Sequence, residues 1–271
     1  MTQERNAPFT ARSVLASALL GTEPPRLPVA QLVRLAGLFG INDNRARVAL
    51  SRMVAAGEAT TDGRGTYTLA GHLLARQRRQ AASRSGPEGS DAAWDGTWHL
   101  VVVTAGATPA GPRTERRRAL AFARLAELRE GVWTRPANLA LDLPGDLAPA
   151  LEVMKARPDD PAGLAARCWD LAGWAARAEG LLADLAALPP AKPDDLAPGF
   201  VLSAAVLRHL QADPLLPAPL GPDRWPGREL RTRYDAWDRA YRAVLADWSR
   251  PGAGPPGERP GTVAPSRGGA S

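Results

Sequence analysis

Residues 42–57 carry the pattern that constrains this chain most. Asn42 is a cap-type residue, Ala46, Ala49, Leu50 and Met53 recur at helical spacing, and Gly57 closes the run. A helix with one apolar stripe must lie against other elements. Its opposite face, here Asn44, Arg47, Val48 and Ser51 flanked by Arg45 and Arg52, is then left to solvent or a partner. Two helices are expected ahead of it. The first runs over residues 10–21, with Val14, Leu15, Ala18 and Leu19 on one face and Pro24 and Pro25 beyond its end. The second opens with Pro28 in its first turn and carries Leu32, Leu35, Ala36 and Phe39 as far as Gly40. Residues 58–61, the turn Asp62-Gly63-Arg64-Gly65, and residues 66–69 then read as a hairpin. Three helices and a hairpin make a winged helix-turn-helix, assigned to residues 1–82.

Charge agrees with that reading. The chain of 271 residues has a net charge of +6, and residues 1–90 hold 12 arginines against 6 acidic residues, so this part carries the whole excess. A basic module joined to a neutral body attracts polyanions, of which nucleic acid is the commonest. The single cysteine, Cys168, excludes an internal disulfide framework, and His72, His99 and His209 lack ligand-like spacing, so no metal and no cofactor is expected. No stretch reaches the roughly 18 apolar residues that span a bilayer, and the first ten residues have no apolar run of a secretory signal; a cytoplasmic location is expected.

Residues 83–93 are rich in Ser, Gly and small polar residues and are assigned to a linker. From Trp94 an α+β middle domain is expected over residues 94–160: a strand over 98–104, a basic helix over 113–130, short strands over 132–134 and 139–141, and a return to the sheet over 150–156. Residues 161–250 read as a helical domain. One helix is expected over 161–188, with Leu171, Trp174, Ala178, Leu181 and Leu185 in a stripe. Another is expected over 228–248, with Leu230, Tyr234, Trp237, Tyr241, Val244 and Trp248. Residues 251–271, dominated by Gly, Pro and Arg, are expected to be a disordered tail.

The order of parts resembles the PaaX family, repressors of aromatic-acid catabolic operons. The resemblance rests on Thr10-Ala11-Arg12-Ser13, on the phrase FGINDNRARVALSRMVAAG over residues 39–57, and on Tyr67-Thr68-Leu69. Trp94-Asp95-Gly96-Thr97-Trp98, Gly131-Val132-Trp133 with Pro136 after it, and Trp225-Pro226-Gly227 follow in family order. Glu58 departs from the pattern, since an aromatic residue is common after the glycine. The resemblance implies a ferredoxin-like middle domain, a homodimer on a palindromic double-stranded DNA operator, and a small-molecule effector such as an acyl-coenzyme A thioester that releases the DNA. Arg113, Arg116, Arg117 and Arg118 are then either phosphate partners of that effector or an ordinary solvated helix face.

On the DNA-binding reading Arg47 is the base reader, because an arginine in the major groove donates two hydrogen bonds to guanine. Arg45, Arg52 and Ser51 suit phosphate oxygens, and Asn44 and Val48 share the outward face. Arg64, between two glycines at the hairpin tip, is either a phosphate or minor-groove contact or a solvent-exposed turn. Arg76, Arg78 and Arg79 read as a charged face leading into the linker, with support of DNA-backbone binding as the alternative. The rival readings are a metal-dependent nuclease built on the middle domain, and an RNA- or protein-binding winged helix. Nuclease chemistry calls for an acidic cluster at the end of the first middle strand, where this chain has Thr104.

Overall fold

The computed structural model describes residues 10–74, 77, 94–104, 106 and 109–249. Helix α1 (Ala11–Leu20) begins where Thr10 Oγ1 accepts the Ser13 N–H at 3.1 Å, satisfying one of the orphan donors of a first turn. A strand that the sequence did not signal comes next: β1 (Arg26–Pro28), antiparallel to β3 (Thr66–Leu69). Pro28, expected in the first turn of the second helix, instead ends β1 and stands at the cap of α2 (Val29–Gly37). With no N–H to give, proline suits the outer side of an edge strand. Helix α3 (Asp43–Ala55) is capped by Asn42, whose Oδ1 accepts the Arg45 N–H at 2.9 Å. Strands β2 (Ala59–Thr61) and β3 form the expected hairpin, in a sheet of order β1-β3-β2.

In the middle of the chain β4 (Trp98–Val103), β5 (Ala126–Arg129), β6 (Val132–Pro136) and β7 (Leu151–Ala156) make an antiparallel sheet of order β5-β6-β4-β7. Counted within this unit the order is 2-3-1-4, the plan of ferredoxin-like sheets. A 3-10 turn at Ala148–Ala150 stands where that plan has its second helix. The basic helix expected to reach residue 130 is α4 (Ala110–Phe122) and stops earlier, because Arg124 adopts φ +61° and the chain turns into β5. No glycine or proline marks that stop. Residues 139–141 form no strand.

The helix expected over 161–188 is two, α5 (Pro161–Cys168) and α6 (Leu171–Ala187). Each has its own aspartate cap: Asp160 Oδ1 accepts from Gly163 N at 2.8 Å and Asp170 Oδ1 from Gly173 N at 2.9 Å. Helix α7 (Leu196–Gln211) was not foreseen, and α8 (Gly227–Ser249) agrees with the reading to within a residue at each end. Gly199 of α7 lies where a Cβ would sit 2.7 Å from the Tyr241 ring, so this glycine sets the close approach of α7 and α8. The residues assigned to the linker, to the tail, and Arg76, Arg78 and Arg79 lie outside the described residues.

Burial divides the molecule differently from chain order. One continuous cluster runs from Leu15, Leu19, Leu32 and Leu50 to Trp174, Leu181, Leu210 and Tyr234, joining the N-terminal helices to α6, α7 and α8. Phe39 meets Phe200 edge to face at 5.1 Å, and the Arg34 guanidinium sits 4.3 Å from the Trp248 ring centre. The middle sheet has a cluster of its own around Val101, Leu120 and Trp133. It is fastened to the helices by a small apolar cluster, in which Trp98 meets Ala165 and Leu220, and by polar contacts. Arg124 donates to the Gln211 carbonyl at 3.3 Å and to that of Asp213, at the C-terminal end of α7, where a cation is favoured. Asn138 Nδ2 donates to the Leu215 carbonyl at 2.8 Å, and buried Asp213 pairs with Arg231 at 2.8 Å.

Candidate nucleic-acid interface

Helix α3 is held from one side only. Ala46, Leu50 and Met53 are at most 1% exposed and face α1 and α2. By helical geometry the residues half a turn away must then point outward. Asn44, Arg45, Arg47, Val48, Ser51 and Arg52 are all exposed, Val48 unusually so for an apolar side chain at 43%. Ser51 Oγ donates back to the Arg47 carbonyl at 3.1 Å, which leaves its lone pairs outward. None of Arg45, Arg47, Arg52 or Arg64 forms an ion pair among the described residues. The face therefore carries uncompensated positive charge over a surface the width of one helix.

The hairpin tip is rigidly built. Asp62 Oδ1 accepts the N–H groups of Thr66 at 2.9 Å and Arg64 at 2.8 Å, and these bonds hold its carboxyl below the usual carboxylate range. Gly63 and Gly65 take φ of +72° and +98°, the left-handed region where a side chain would be strained. Arg64 between them is exposed.

Glu58 is a structural residue that the sequence reading noted only as a departure. Its side chain is 8% exposed and pairs with Arg12, Arg12 Nε lying 2.8 Å from Glu58 Oε2 and a second bond joining Nη2 to Oε1. The Arg12 bond holds the carboxyl below its ordinary range. This fork ties the first turn of α1 to the start of the hairpin. The signal that could have found it is an acidic residue just ahead of β2 together with an arginine in the first turn of α1.

Elsewhere the predicted groups separate. Arg113 pairs with Glu130 at 3.4 Å and Arg117 with Glu127, so two of the four arginines proposed for an effector are engaged by the neighbouring hairpin. Arg135, 3% exposed, donates to the carbonyls of Pro136 and Ala123, and burial draws it down to about 10. No group of three His, Cys, Asp or Glu side chains able to hold a metal ion occurs among the described residues, and none of the described helices is long and apolar enough to cross a membrane.

Comparison with known proteins bears on the whole chain. No curated protein matches it. The family described as PaaX-like protein matches residues 10–73, from the cap of α1 to just past β3. Among solved structures, uncharacterized protein Rv0674 from Mycobacterium tuberculosis is similar at 42% identity and a TM-score of 0.65, over 88% of this chain and 98% of that one. The α3 phrase and its hairpin lie inside the family match, and the structural likeness extends over 88% of the chain. The chain belongs to the PaaX-like family, which includes transcription regulators.

Proposed function

We propose that this protein is a dimeric, DNA-binding transcription regulator, a repressor of a catabolic operon that leaves its operator when a small molecule binds. Residues 1–82 act as a winged helix-turn-helix, with 83–93 as linker, 94–160 as a ferredoxin-like middle domain, 161–250 as a helical domain and 251–271 as a tail. One observation carries the reading: α3 presents Asn44, Arg47, Val48 and Ser51 outward while its alanine, leucine and methionine side is fully buried. A helix of this diameter fits the major groove of B-DNA. Arg47 reads guanine, the Val48 methyls suit a thymine methyl, and Arg45, Ser51 and Arg52 hold phosphates. Arg64 reaches the backbone or minor groove beside the hairpin tip.

The dimer is supported by β7, an edge strand whose residues after Leu151 are exposed on both faces, Val153 and Met154 among them. An open edge strand that exposes Val153 and Met154 beside Glu152 and Lys155 offers unpaired backbone groups to a second strand, with opposite charges that can match across a two-fold axis. Two-fold pairing there gives two recognition helices and hence a palindromic site. The effector named by the resemblance is an acyl-coenzyme A thioester, and the work is done in the cytoplasm. The test is footprinting on the intergenic DNA beside the protein's own gene. Two protected half-sites about one helical turn apart are expected. Equal binding to random DNA, preference for an RNA of the same length, or metal-dependent cleavage of the probe would each overturn the reading.

A further inference from the structure

Between the N-terminal helices and the C-terminal pair lies a cleft of about 440 Å³. One wall comes from α1, β1 and α2, through Leu20, Leu27 and Leu35. The other comes from α7 and α8, through Phe200, Tyr234 and Trp248. A cavity of this size at a junction of units, lined by aromatic and aliphatic groups, has the character of a small-molecule site. Polar and charged side chains share the lining with the apolar ones. Ser203 Oγ and Tyr234 OH lie 2.9 Å apart on the α7–α8 wall. Asp238 and Arg242 satisfy one another at 2.8 Å. Glu23, on the opposite lip, receives the Gln77 amide at 3.3 Å. Arg208 is different: it lines the cleft, is exposed, and has no ion pair among the described residues.

We infer that this cleft binds a compact one- or two-ring carboxylate, its apolar body between Leu35, Phe200 and Trp248 and its acid group on Arg208. The inference rests on the regulator reading and gives its effector a place and a chemistry: a compact acid takes the role that the resemblance gives to the much larger acyl-coenzyme A thioester, which a cleft of about 440 Å³ does not enclose. The occupant touches α2 and α8 together, so it binds one setting of α3 against the bundle better than another, and such a difference is what shifts a conformational equilibrium. An anion at Arg208 gains a charge-assisted, fork-shaped pair, whereas a neutral amide of the same shape gains only an ordinary hydrogen bond.

The test contains no DNA, so its outcome is independent of whether the protein binds an operator. The full chain is titrated with the amphipathic anion 8-anilinonaphthalene-1-sulfonate, followed by displacement with 2-naphthoate and with 2-naphthamide. One saturable site is expected, with naphthoate displacing the dye at about tenfold lower concentration than the amide. Arg208→Gln, an exposed change that leaves the fold intact, should abolish that preference while keeping dye binding. Ala204→Phe, which fills the cleft, should weaken both ligands about tenfold or more while thermal unfolding remains cooperative. Absence of saturable dye binding, or affinities for both ligands untouched by Ala204→Phe, would overturn the site; an unchanged naphthoate preference in Arg208→Gln would overturn its chemistry.

Discussion

Replacing Arg12 by methionine isolates the fork that fastens α1 to the hairpin. The substitution keeps most of the aliphatic stem and removes two charge-assisted hydrogen bonds, leaving the Glu58 side chain, 8% exposed, with His72 Nε2 at 3.8 Å as its remaining cationic neighbour among the described residues. Breaking a fully buried ion pair costs about 3–5 kcal/mol. Here the Arg12 side chain is 53% exposed, so water reaches the vacated side and the loss falls to about 2 kcal/mol. Urea unfolding at pH 7 measures it as a lower midpoint at unchanged slope. The pH dependence gives an internal control. Arg12 lowers the carboxyl in the folded chain, so the stabilisation is complete above the ordinary glutamate range near about 4.3 and is lost as pH falls through the folded value. The gap between wild type and Arg12→Met should therefore shrink on going from pH 7 to about pH 3.5. Arg12→Met with Glu58→Met, which leaves no orphan charge, should recover much of the loss. A deficit below about 0.5 kcal/mol at pH 7, or one that does not narrow in acid, refutes the argument.

Other substitutions address function and assembly. Arg47→Ala should relax preference at one position of each half-site, costing about 1–3 kcal/mol of discrimination in a binding assay with base-substituted operators; equal losses on specific and random DNA would remove it as a reader. Arg64→Ala should weaken binding to every sequence alike and lower the salt slope by about one contact, which titrations at several salt concentrations measure. Val153→Lys with Met154→Lys should convert a dimer to a monomer in light scattering, and a persisting dimer would place the interface away from β7. His209 stacks 4.2 Å from the Trp174 ring and burial pushes its pKa down, so the folded chain favours the neutral ring. That contribution is complete above the unfolded value near about 6.5 and declines as pH falls through it; His209→Gln should flatten the melting-temperature curve between pH 7.5 and 5.

The N-terminal module was legible in the sequence because its signals are local. The caps Thr10 and Asn42, the glycines at 57, 63 and 65, and the stripe of Ala46, Leu50 and Met53 each act within a few residues. What escaped depends on distant partners. Strand β1 exists only because β3, some forty residues later, pairs with it, and three residues ending in proline carry no periodicity. Helix α7 begins Leu196-Ala197-Pro198-Gly199, a breaker signature that the Tyr241 ring overrides by packing on the bare glycine. The early stop of α4 rests on Arg124, whose left-handed turn is stabilised by carbonyls at the far end of α7. The outward face of α3 could be read in advance, whereas the cleft beneath α2 could not, since its two walls are well over a hundred residues apart along the chain.

The core shared by the first three helices and the last three bears on protein engineering. A chimera that transplants residues 10–73 onto a foreign effector module would strip Phe39 and Arg34 of Phe200 and Trp248, and would leave both sides sticky. Designers wishing to alter what α3 recognises should recode its exposed side in place and leave the seam uncut.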